Sequence, residues 1–416
     1  MTTTASLDTR PSVSADDLDA DVVDLTGPGS PRGVILSAVD HPLFTYRLVV
    51  VTSAVLLTLG LLMVISASSV IGAAQKSDPY YYGKRQIMFA LAGVAGAWAL
   101  SMLPERFVKM MSRPVLVLGL VLMILTFTPL GVEVAGNRNW LSFGPAWAQF
   151  QPSEFAKVAL IVWGAEQLGR RGKKLVDLRQ WSPYLVAAFL LIGLVIFQKD
   201  LGTAVVLLAM VLVILVAAGA PWRWLLALIG AAAAGVVAMV FLEPNRMRRI
   251  WAFLNPQDDP LGLNMQSGRG IDALASGGWF GQGLGSSRLK WGLLSEAHTD
   301  YIFAIIGEEL GVMGTCGVIA LFLILAWAGL RIANRSDSAF SRLVAVGVVA
   351  WFSVQAFMNI AVAVRAMPVM GVTLPMISYG GSSLMANLFA LGLLAGCARH
   401  EPGARQMLSA GKRRAV

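Results

Sequence analysis

Long apolar segments, more than any single motif, constrain what this chain can fold into. Hydrophobic residues make up 56% of its 416 residues and charged residues only 14%, whereas about 25% of a typical soluble domain is charged. Apolar runs of about 20 residues are long enough to cross the hydrocarbon core of a bilayer as helices. The strands of a membrane barrel would instead alternate apolar and polar residues. The pattern therefore predicts an all-α, polytopic integral membrane protein.

We expect about ten transmembrane helices, with a long outer loop, 243–300, between the seventh and the eighth. Residues 1–44 are rich in aspartate, glycine and proline, a composition that cannot bury a core, so we expect a disordered cytoplasmic tail. Residues 401–416 form a short basic tail. The ten apolar segments of the membrane domain, 45–400, are 47–74, 86–103, 113–130, 153–169, 183–198, 201–218, 222–242, 301–330, 341–363 and 381–398.

The distribution of lysine and arginine predicts the orientation of the chain, because cytoplasmic loops are enriched in both. With the N-terminus inside, 20 of them fall in inside segments and six in the short outside loops. Both termini are therefore predicted to be cytoplasmic. This bias accounts for the net charge of +9. The sequence contains no basic stripe interleaved with aromatic residues, the pattern that would indicate nucleic-acid binding.

A polar cluster at the start of the eighth apolar segment carries the strongest indication of chemistry. His298, Thr299 and Asp300 lead directly into the apolar run that also contains Glu308 and Glu309. Carboxylates are costly in a membrane helix and usually face a wet cavity or the interior of the bundle. Asp300 would lie at the outer mouth of its helix, within reach of both water and the membrane interior. We predict that Asp300 is the functional centre, with His298 and Thr299 beside the substrate.

Polar residues also occur at the outer ends of other predicted helices. Glu154 and Lys157 are three residues apart in the fourth segment, so they share a helix face and can form an ion pair, either for structure or for substrate binding. Asp200 precedes the sixth segment, where it is either an N-cap or a substrate ligand. Arg138 and Trp140 belong to an outer loop that either anchors in the membrane interface or forms the lip of a substrate site.

The long outer loop and the loop before the tenth segment complete the candidate site. Arg246, Arg249 and Lys290 would lie near the outer surface, where they suit phosphate groups or, equally, lipid headgroups. The glycines of Ser276–Ser287 allow tight turns close to a ligand, but their GxGxG follows no βα unit, which disfavours a dinucleotide site. Ser382 belongs to the sequence ISYGGSS, and broken backbone at membrane depth is tolerated where it lines a cavity.

The sequence predicts neither a disulfide framework nor a zinc site. Cys316 and Cys397 both fall in predicted membrane segments, where we expect them to serve as packing residues. The histidines His41, His298 and His400 are far apart. No HExxH or paired CxxC pattern occurs, which disfavours structural zinc.

Five motifs, in order along residues 45–400, carry a resemblance to a known family. They read NRNWLSFG with QPSEFAK, KDLGT, FLNPQDDPLG through SGGWFGQGLGSS, SEAHTDYIFAIIGEELG, and LPMISYGGSS. The set resembles the SEDS family (shape, elongation, division and sporulation). The IGEELG that follows HTD is more similar to the FtsW-type division branch than to the RodA-type elongation branch.

The resemblance implies a peptidoglycan glycosyltransferase that polymerises lipid II, a disaccharide-pentapeptide on undecaprenyl pyrophosphate, into glycan strands during cell division. It places the family's essential aspartate at Asp300, its loop tryptophan at Trp140 and its helix-four pair at Glu154 and Lys157. It implies a class B penicillin-binding transpeptidase and other division-complex proteins as partners, in the bacterial cytoplasmic membrane at the septum. It implies no definite cofactor, and a divalent cation (Mg²⁺ or Mn²⁺) is an alternative to basic side chains at the pyrophosphate.

The residues fit this chemistry on independent grounds. A β-1,4 bond formed from an α-linked donor requires inversion, and hence one displacement assisted by one base. Asp300 can be that base if the acceptor hydroxyl comes within about 3 Å. Two alternatives stay open, a lipid II flippase or transporter and a non-catalytic scaffold of the division complex. The chain departs from the family pattern at several positions: Arg365 and Ala361 stand where the family usually has Gly, Lys199 where it has Pro, and Arg269 where it has Gln. The departures at Arg365 and Arg269 keep the scaffold alternative open.

Overall fold

A computed structural model gives the structure of most of the chain. It describes residues 41–134, 136–144, 149–170, 178–242, 247–248, 251, 253–255, 265–291, 294, 296–404 and 406–407. Arg246 and Arg249, two of the predicted phosphate ligands, lie outside these residues, as do residues 1–40 and 408–416 of the two predicted tails. The other candidate site residues named above are described.

Helices occupy all ten segments that the sequence predicts to span the membrane, and a further helix, which was not predicted, lies in the long loop. In chain order they are α1 (Phe44–Lys76), α2 (Tyr81–Met102), α3 (Glu105–Leu125), α4 (Pro152–Gly169), α5 (Leu178–Phe197), α6 (Leu201–Ala217), α7 (Trp222–Leu242), α8 (Met265–Gly277), α9 (Ile302–Arg335), α10 (Ala339–Ala363) and α11 (Gly381–Arg399). By length and composition α1, α3, α5, α9, α10 and α11 can cross a membrane, and α6 and α7 contain shorter apolar runs. The all-α polytopic class is confirmed, whereas the number of ten spans stays a prediction.

Local signals fix where two of the site-bearing helices begin. α4 starts with Pro152, whose missing N–H is no loss at a first helical position, and Glu154 in its first turn complements the helix dipole. α6 starts after Asp200, whose Oδ1 accepts a hydrogen bond from Thr203 N at 3.0 Å. The interpretation of Asp200 as an N-cap is therefore confirmed.

Of the six described helices that are long and apolar enough to cross a membrane, α10 and α11 are the most buried. Close contact between α11 and α2 depends on small residues: Gly392 lies against the backbone of Ala97, and Gly96 lies against the ring of Phe389. Such residues let membrane helices approach closely and so gain van der Waals contact. The C-terminus of α10 and the N-terminus of α11, which border the site, are thereby held by a closely packed core.

The backbone of α9 is broken at Gly311, where φ is 69° and ψ is −165°. The loop after α8 satisfies backbone groups around the break: Val312 N donates to Gly278 O at 2.9 Å, and Gln282 N donates to Glu308 O at 2.9 Å. Backbone polar groups at membrane depth need such partners, because lipid supplies none. These hydrogen bonds at the break therefore attach the long outer loop to α9.

The outer loop before α4 contains a small antiparallel sheet that the sequence analysis did not predict. Its strands are β1 (Gly131–Val134), β2 (Asn137–Ser142) and β3 (Gln149–Phe150), in the order β1-β2-β3, with Trp140 paired to Val132 and Leu141 to Phe150. Asn139 and Leu141 are buried and Arg138 is exposed, as the period of two along a strand requires. The six-residue alternation NRNWLS carries this pattern, but the residues around it were interpreted only as a membrane anchor or the lip of a substrate site.

Candidate active site

A cavity of about 580 Å³ lies where α4, α6 and α11 begin, where α10 ends, and where residues 296–300 lead into α9. The sheet closes it on one side, and the loop between α10 and α11 forms the other side. These are the helix ends that the charge distribution assigns to the outer face. Polar groups from five parts of the chain therefore converge at one end of the bundle.

Most of the described candidate residues line this one cavity, although they are up to 242 positions apart in sequence. Two do not. Arg138 lies on the outward side of β2, where its Nη2 donates to Thr128 O at 2.9 Å, and Lys290 lies in a separate buried cluster. The residues brought together are Trp140, Glu154, Lys157, Asp200, His298, Thr299, Asp300 and Ser382.

The backbone around Asp300 is held from two sides. Asn359 Nδ2, on α10, donates to Asp300 O at 2.9 Å and to Val372 O at 2.8 Å. Ser378 Oγ donates to the carbonyl of Thr299, the preceding residue, at 2.6 Å. The carboxylate faces the loop after α10, since a Cβ built on Gly371 would lie 3.9 Å from Asp300 Oδ2. Asp300 is half-buried, so a fixed backbone presents its carboxylate on a cavity wall that a ligand can reach.

Glu154 and Lys157 form the predicted ion pair, 2.9 Å apart, with side chains that are 6% and 1% exposed. Lys157 Nζ also donates to Gln355 Oε1 at 3.0 Å and lies 4.5 Å from the centre of the Trp351 ring. Glu154 Oε2 accepts no hydrogen bond from the described residues. The pair is charge-compensated, as a buried pair must be, yet one carboxylate oxygen keeps unused bonding capacity.

Asp200 is bonded more completely than Glu154. In addition to its cap bond, its Oδ2 accepts from Thr203 Oγ1 at 2.9 Å, Asn139 Nδ2 at 2.9 Å and Gln151 Nε2 at 3.1 Å. These bonds tie the sheet and the start of α4 to the start of α6. Asn139 and Gln151 were not predicted as site residues, although their amides lie in the NRNWLS and QPSEFAK motifs.

His298 lies in an aromatic box, with its ring centre 5.2 Å from that of Tyr82 and 5.5 Å from that of Tyr379. Burial lowers the pKa of the His298 imidazole below its ordinary value, and the nearby Glu296 carboxylate offsets part of this effect. Burial also raises the pKa of Tyr379 to about 12. At neutral pH both groups are therefore predominantly uncharged, so His298 does not supply the positive charge that a pyrophosphate requires.

Among the described residues that line the cavity, Arg85 and Lys157 are the permanent cations. Arg85 directly precedes the second predicted span, 86–103, and its guanidinium carbon lies 5.8 Å from the centre of the Phe89 ring. From the sequence Arg85 was interpreted only as a charge of an outer loop. Its position beside a predicted helix start on the outer face was the available signal.

A second opening, of about 920 Å³, adjoins the polar cavity and differs from it in chemistry. It lies between α2, α3, α4 and α11 and is lined almost entirely by apolar side chains. Phe89, Gln149 and Ser382 line both openings. Ser382 Oγ, at the junction, accepts from Gln151 N at 3.2 Å. The combined space suits an amphipathic ligand with a polar head and a long apolar chain.

The side chains that line the cavity determine whether a metal ion can bind in it. Within the part of the chain that the structure describes, no three His, Cys, Asp or Glu side chains converge on one point. Mg²⁺ commonly binds through one or two protein carboxylates together with substrate phosphates and water. Asp300 and Glu296 both line the cavity, so two carboxylates of the kind that such a shared site uses are present.

Comparisons with known proteins agree with this architecture. The FtsW/RodA/SpoVE family model, described as cell cycle protein, matches residues 46–402. A probable peptidoglycan glycosyltransferase FtsW from Trichlorobacter lovleyi is 39% identical over 352 residues, which cover 84% of this chain and 92% of the relative. The stage V sporulation protein E of Bacillus subtilis is 37% identical over 357 residues, covering 85% and 96%.

Solved structures extend the likeness to three dimensions. A chain from a study of how a peptidoglycan synthase complex coordinates polymerisation and crosslinking superposes with a TM-score of 0.69 and 30% identity, covering 85% of this chain and 97% of that one. The length of the family match and the sequence identity of the relatives together assign the chain to a family. The chain belongs to the FtsW/RodA/SpoVE family of cell cycle proteins, and it is a multi-pass membrane protein.

Proposed function

We propose that this protein is a peptidoglycan glycosyltransferase of cell division that polymerises lipid II into glycan strands. The observation that carries the proposal is the junction between the polar cavity at Asp300 and the apolar opening of about 920 Å³. Lipid II has a sugar-peptide head, a pyrophosphate and a long polyprenyl chain. The cavity suits the head and the apolar opening suits the chain. The names of the relatives support the same activity.

Asp300 acts as the general base in this proposal. It takes the proton from the 4-hydroxyl of the acceptor sugar, and the hydroxyl oxygen attacks the anomeric carbon of the donor. The bond from that carbon to the pyrophosphate breaks, the polyprenyl pyrophosphate leaves with the electron pair, and the configuration inverts. The hydrogen bonds from Asn359 and Ser378 hold the base before substrate arrives, and such preorganisation lowers the barrier.

Positive charge at the leaving pyrophosphate is assigned to Arg85, because a guanidinium fork matches phosphate oxygens. Lys157 contributes from the inner wall, and Glu154 orients it through their ion pair. Arg246 and Arg249 stay proposals of the same kind. A divalent cation, Mg²⁺ or Mn²⁺, is a further proposal: Asp300 and Glu296 would hold it with the substrate's phosphates, and it would supply charge at the leaving group.

The partner we propose is a class B penicillin-binding transpeptidase within the division complex, at the septum of the bacterial cytoplasmic membrane. A related chain comes from a study of a complex in which polymerisation and crosslinking are coordinated. Both termini face the cytoplasm in this arrangement, which puts the cavity on the side where cell wall is made. Nucleic acid has no role in it.

Polymerisation of lipid II by the purified protein with its transpeptidase partner tests the proposal. We expect Asp300→Asn to lower the rate by about 10²-fold or more, because a positioned base contributes about 10²- to 10⁴-fold. Asp78→Asn, which neutralises a partly exposed carboxylate in the loop between α1 and α2, should leave the rate unchanged. Assays with and without Mg²⁺ or Mn²⁺ test the metal proposal.

Three outcomes would contradict parts of this function. Polymer formation by Asp300→Asn at the wild-type rate would remove the base mechanism. Movement of lipid II across the bilayer, without polymer and independent of Asp300, would indicate a transporter. Growth supported by Asp300→Asn in cells that lack the wild-type protein would indicate a scaffold.

A further inference from the structure

Lys290 occupies a buried cluster with residues of α1 and α9. Its Nζ lies 3.5 Å from Glu309 Oε1, with the two side chains 5% and 0% exposed, and it donates to Gly285 O at 2.6 Å. Ser66 Oγ, on α1, lies 2.6 and 2.8 Å from the two oxygens of Glu309. An ammonium, a carboxylate and a hydroxyl from three parts of the chain therefore meet outside the cavity.

Glu308, the neighbouring carboxylate, binds the same loop. Its Oε2 accepts from Ser287 Oγ at 2.5 Å, and its Oε1 accepts from Arg288 N at 2.8 Å. The two adjacent carboxylates of α9 are 1% and 0% exposed. We call the set Ser66, Ser287, Lys290, Glu308 and Glu309 the outer-loop clamp.

The clamp belongs to a continuous attachment of the outer loop to α9. Beyond the bonds at the Gly311 break, Gly283 N donates to Glu309 O at 3.0 Å. Gly281 lies so close to the backbone of Glu309 that a side chain there would overlap it. Glycine is needed where two backbones approach this closely. Backbone and side-chain bonds thus hold the loop at the same point of α9.

The attached loop leads directly to Asp300, which follows Lys290 by ten residues. Asp300 is also two residues before Ile302, the first residue of α9, so the chain leaves the clamp, passes Asp300 and returns to the clamp two helical turns later. Along this path Leu294 N donates to Leu289 O at 2.9 Å, and Tyr301 N donates to Glu296 O at 3.2 Å. Displacement of the clamp would therefore move a closed loop that carries the base.

We infer that the Lys290–Glu309 pair, seated on Ser66, is a positioning device for Asp300. It fixes the outer loop against α1 and α9, while Asn359 and Ser378 fix Asp300 from the opposite side. This role rests on the proposed function, and it differs from the phosphate-binding role that the sequence predicts for Lys290. Lys290 acts through its charge on Glu309 and does not touch substrate.

Paired charge removal separates the two roles of Lys290. Lys290→Met leaves Glu309 buried without a counter-charge, whereas Lys290→Met with Glu309→Gln removes both charges and keeps a partner for Ser66. Removal of one member of a buried pair is strongly destabilising, but replacement of both is often tolerated. If Lys290 instead bound pyrophosphate, its loss would lower the polymerisation rate equally in the single and the double variant.

The experiment measures kcat and KM for lipid II polymerisation and, separately, amide hydrogen exchange in peptides that cover 280–291. We expect Lys290→Met to lower kcat by about tenfold or more with KM changed by less than about threefold, and to speed exchange in these peptides. The double variant should recover most of both properties. Lys84→Met, which breaks the exposed ion pair of Lys84 with Asp78, should resemble the wild type.

Two results would overturn the inference. One is a double variant that stays as slow as Lys290→Met while its exchange is that of the wild type, which would assign Lys290 to the substrate. The other is a Lys290→Met variant with wild-type kcat and exchange. If Lys290→Met does not fold, Ser66→Ala, which removes only the hydroxyl, should speed exchange at 280–291, and unchanged exchange would overturn the inference. The exchange result does not depend on polymerisation, so an inactive wild type would contradict the proposed function alone.

Discussion

Two clusters of buried charge, one in the cavity and one in the outer-loop clamp, differ in which groups form hydrogen bonds to their carboxylates. In the cavity, Glu154 Oε2 accepts no hydrogen bond from the described residues, and the Glu154–Lys157 pair faces about 580 Å³ of open space. In the outer-loop clamp, both oxygens of Glu308 and of Glu309 have partners within the protein. The first cluster contains a buried carboxylate oxygen without a partner among the described residues, beside an open cavity, and the second contains none.

This difference teaches how to interpret carboxylates in a membrane sequence. The general expectation is that intramembrane charges mark function, and Glu154, Asp300, Glu308 and Glu309 all satisfy it by position. Only the surroundings separate those that can bind substrate from those that hold the fold. The same lesson applies to Lys290, whose charge matched a phosphate ligand in the sequence but serves Glu309 in the structure.

The largest effect is expected at the Glu154–Lys157 pair of the cavity, where, as for the clamp, one charge and then both are removed. We expect Glu154→Gln, Lys157→Met and the double variant each to lower kcat for lipid II polymerisation by about 10²-fold. The reason is that Lys157 acts toward substrate and Glu154 orients it, so removal of the second charge cannot restore the loss of the first. Initial rates over a range of lipid II concentrations measure the effect.

Recovery of activity in the Glu154→Gln/Lys157→Met double variant would make the cavity pair equivalent to the clamp, and the distinction between the two clusters would fail. Val158→Ala, on the same helix but facing the apolar opening, is a control for damage to α4. It should retain most of the activity because it leaves both charges in place.

The sequence predicts the helices better than the site, for physical reasons visible in particular residues. Long apolar runs are sufficient to locate α1 to α7 and α9 to α11, since a membrane helix satisfies its own backbone. The sheet was missed because its three strands have only four, six and two residues, too few for a clear alternating pattern in each of them. Asp300, Glu154 and Lys157 could be named individually, but that they share one cavity depends on helix packing.

The second effect in size concerns the attachment of Asp300 to α10. We expect Asn359→Leu to lower kcat by about tenfold, because loss of both Nδ2 hydrogen bonds frees the carbonyls of Asp300 and Val372 and loosens the base. Asn387→Leu is a matched control, since the Asn387 amide is buried and makes no hydrogen bond with the described residues. It should keep its activity and its thermal stability.

The pH profile of kcat distinguishes positioning from damage in this pair of variants. If Asn359 positions the base, the rate falls while the profile keeps its shape, because the same carboxylate still accepts the proton. A wild-type rate in Asn359→Leu would show that the clamp and Ser378 hold Asp300 without α10. A fall in Asn387→Leu as large as that in Asn359→Leu would show that the assay reports general damage to the bundle.

The smallest expected effect compares two residues of the loop between α10 and α11 that both have positive φ. Arg365 has φ 56° and does not line the cavity, whereas Gly371 has φ 70° and lies beside Asp300. A residue with a Cβ is disfavoured in this region by about 1–2 kcal/mol. Arg365→Gly should therefore raise the unfolding temperature, by roughly 2–4 °C per kcal/mol as in a soluble domain of 150–250 residues, without a change in kcat.

Gly371→Ala should lower the unfolding temperature, because it introduces the same strain, and should also lower kcat, because it places a methyl group 3.9 Å from Asp300 Oδ2. Thermal unfolding in detergent, followed by intrinsic tryptophan fluorescence, measures the first property, and lipid II polymerisation measures the second. A loss of kcat in Arg365→Gly would show that the Arg365 side chain supports the reaction. The departure from glycine at this position would then be functional, and the boundary of the site would extend beyond the cavity wall to the end of α10.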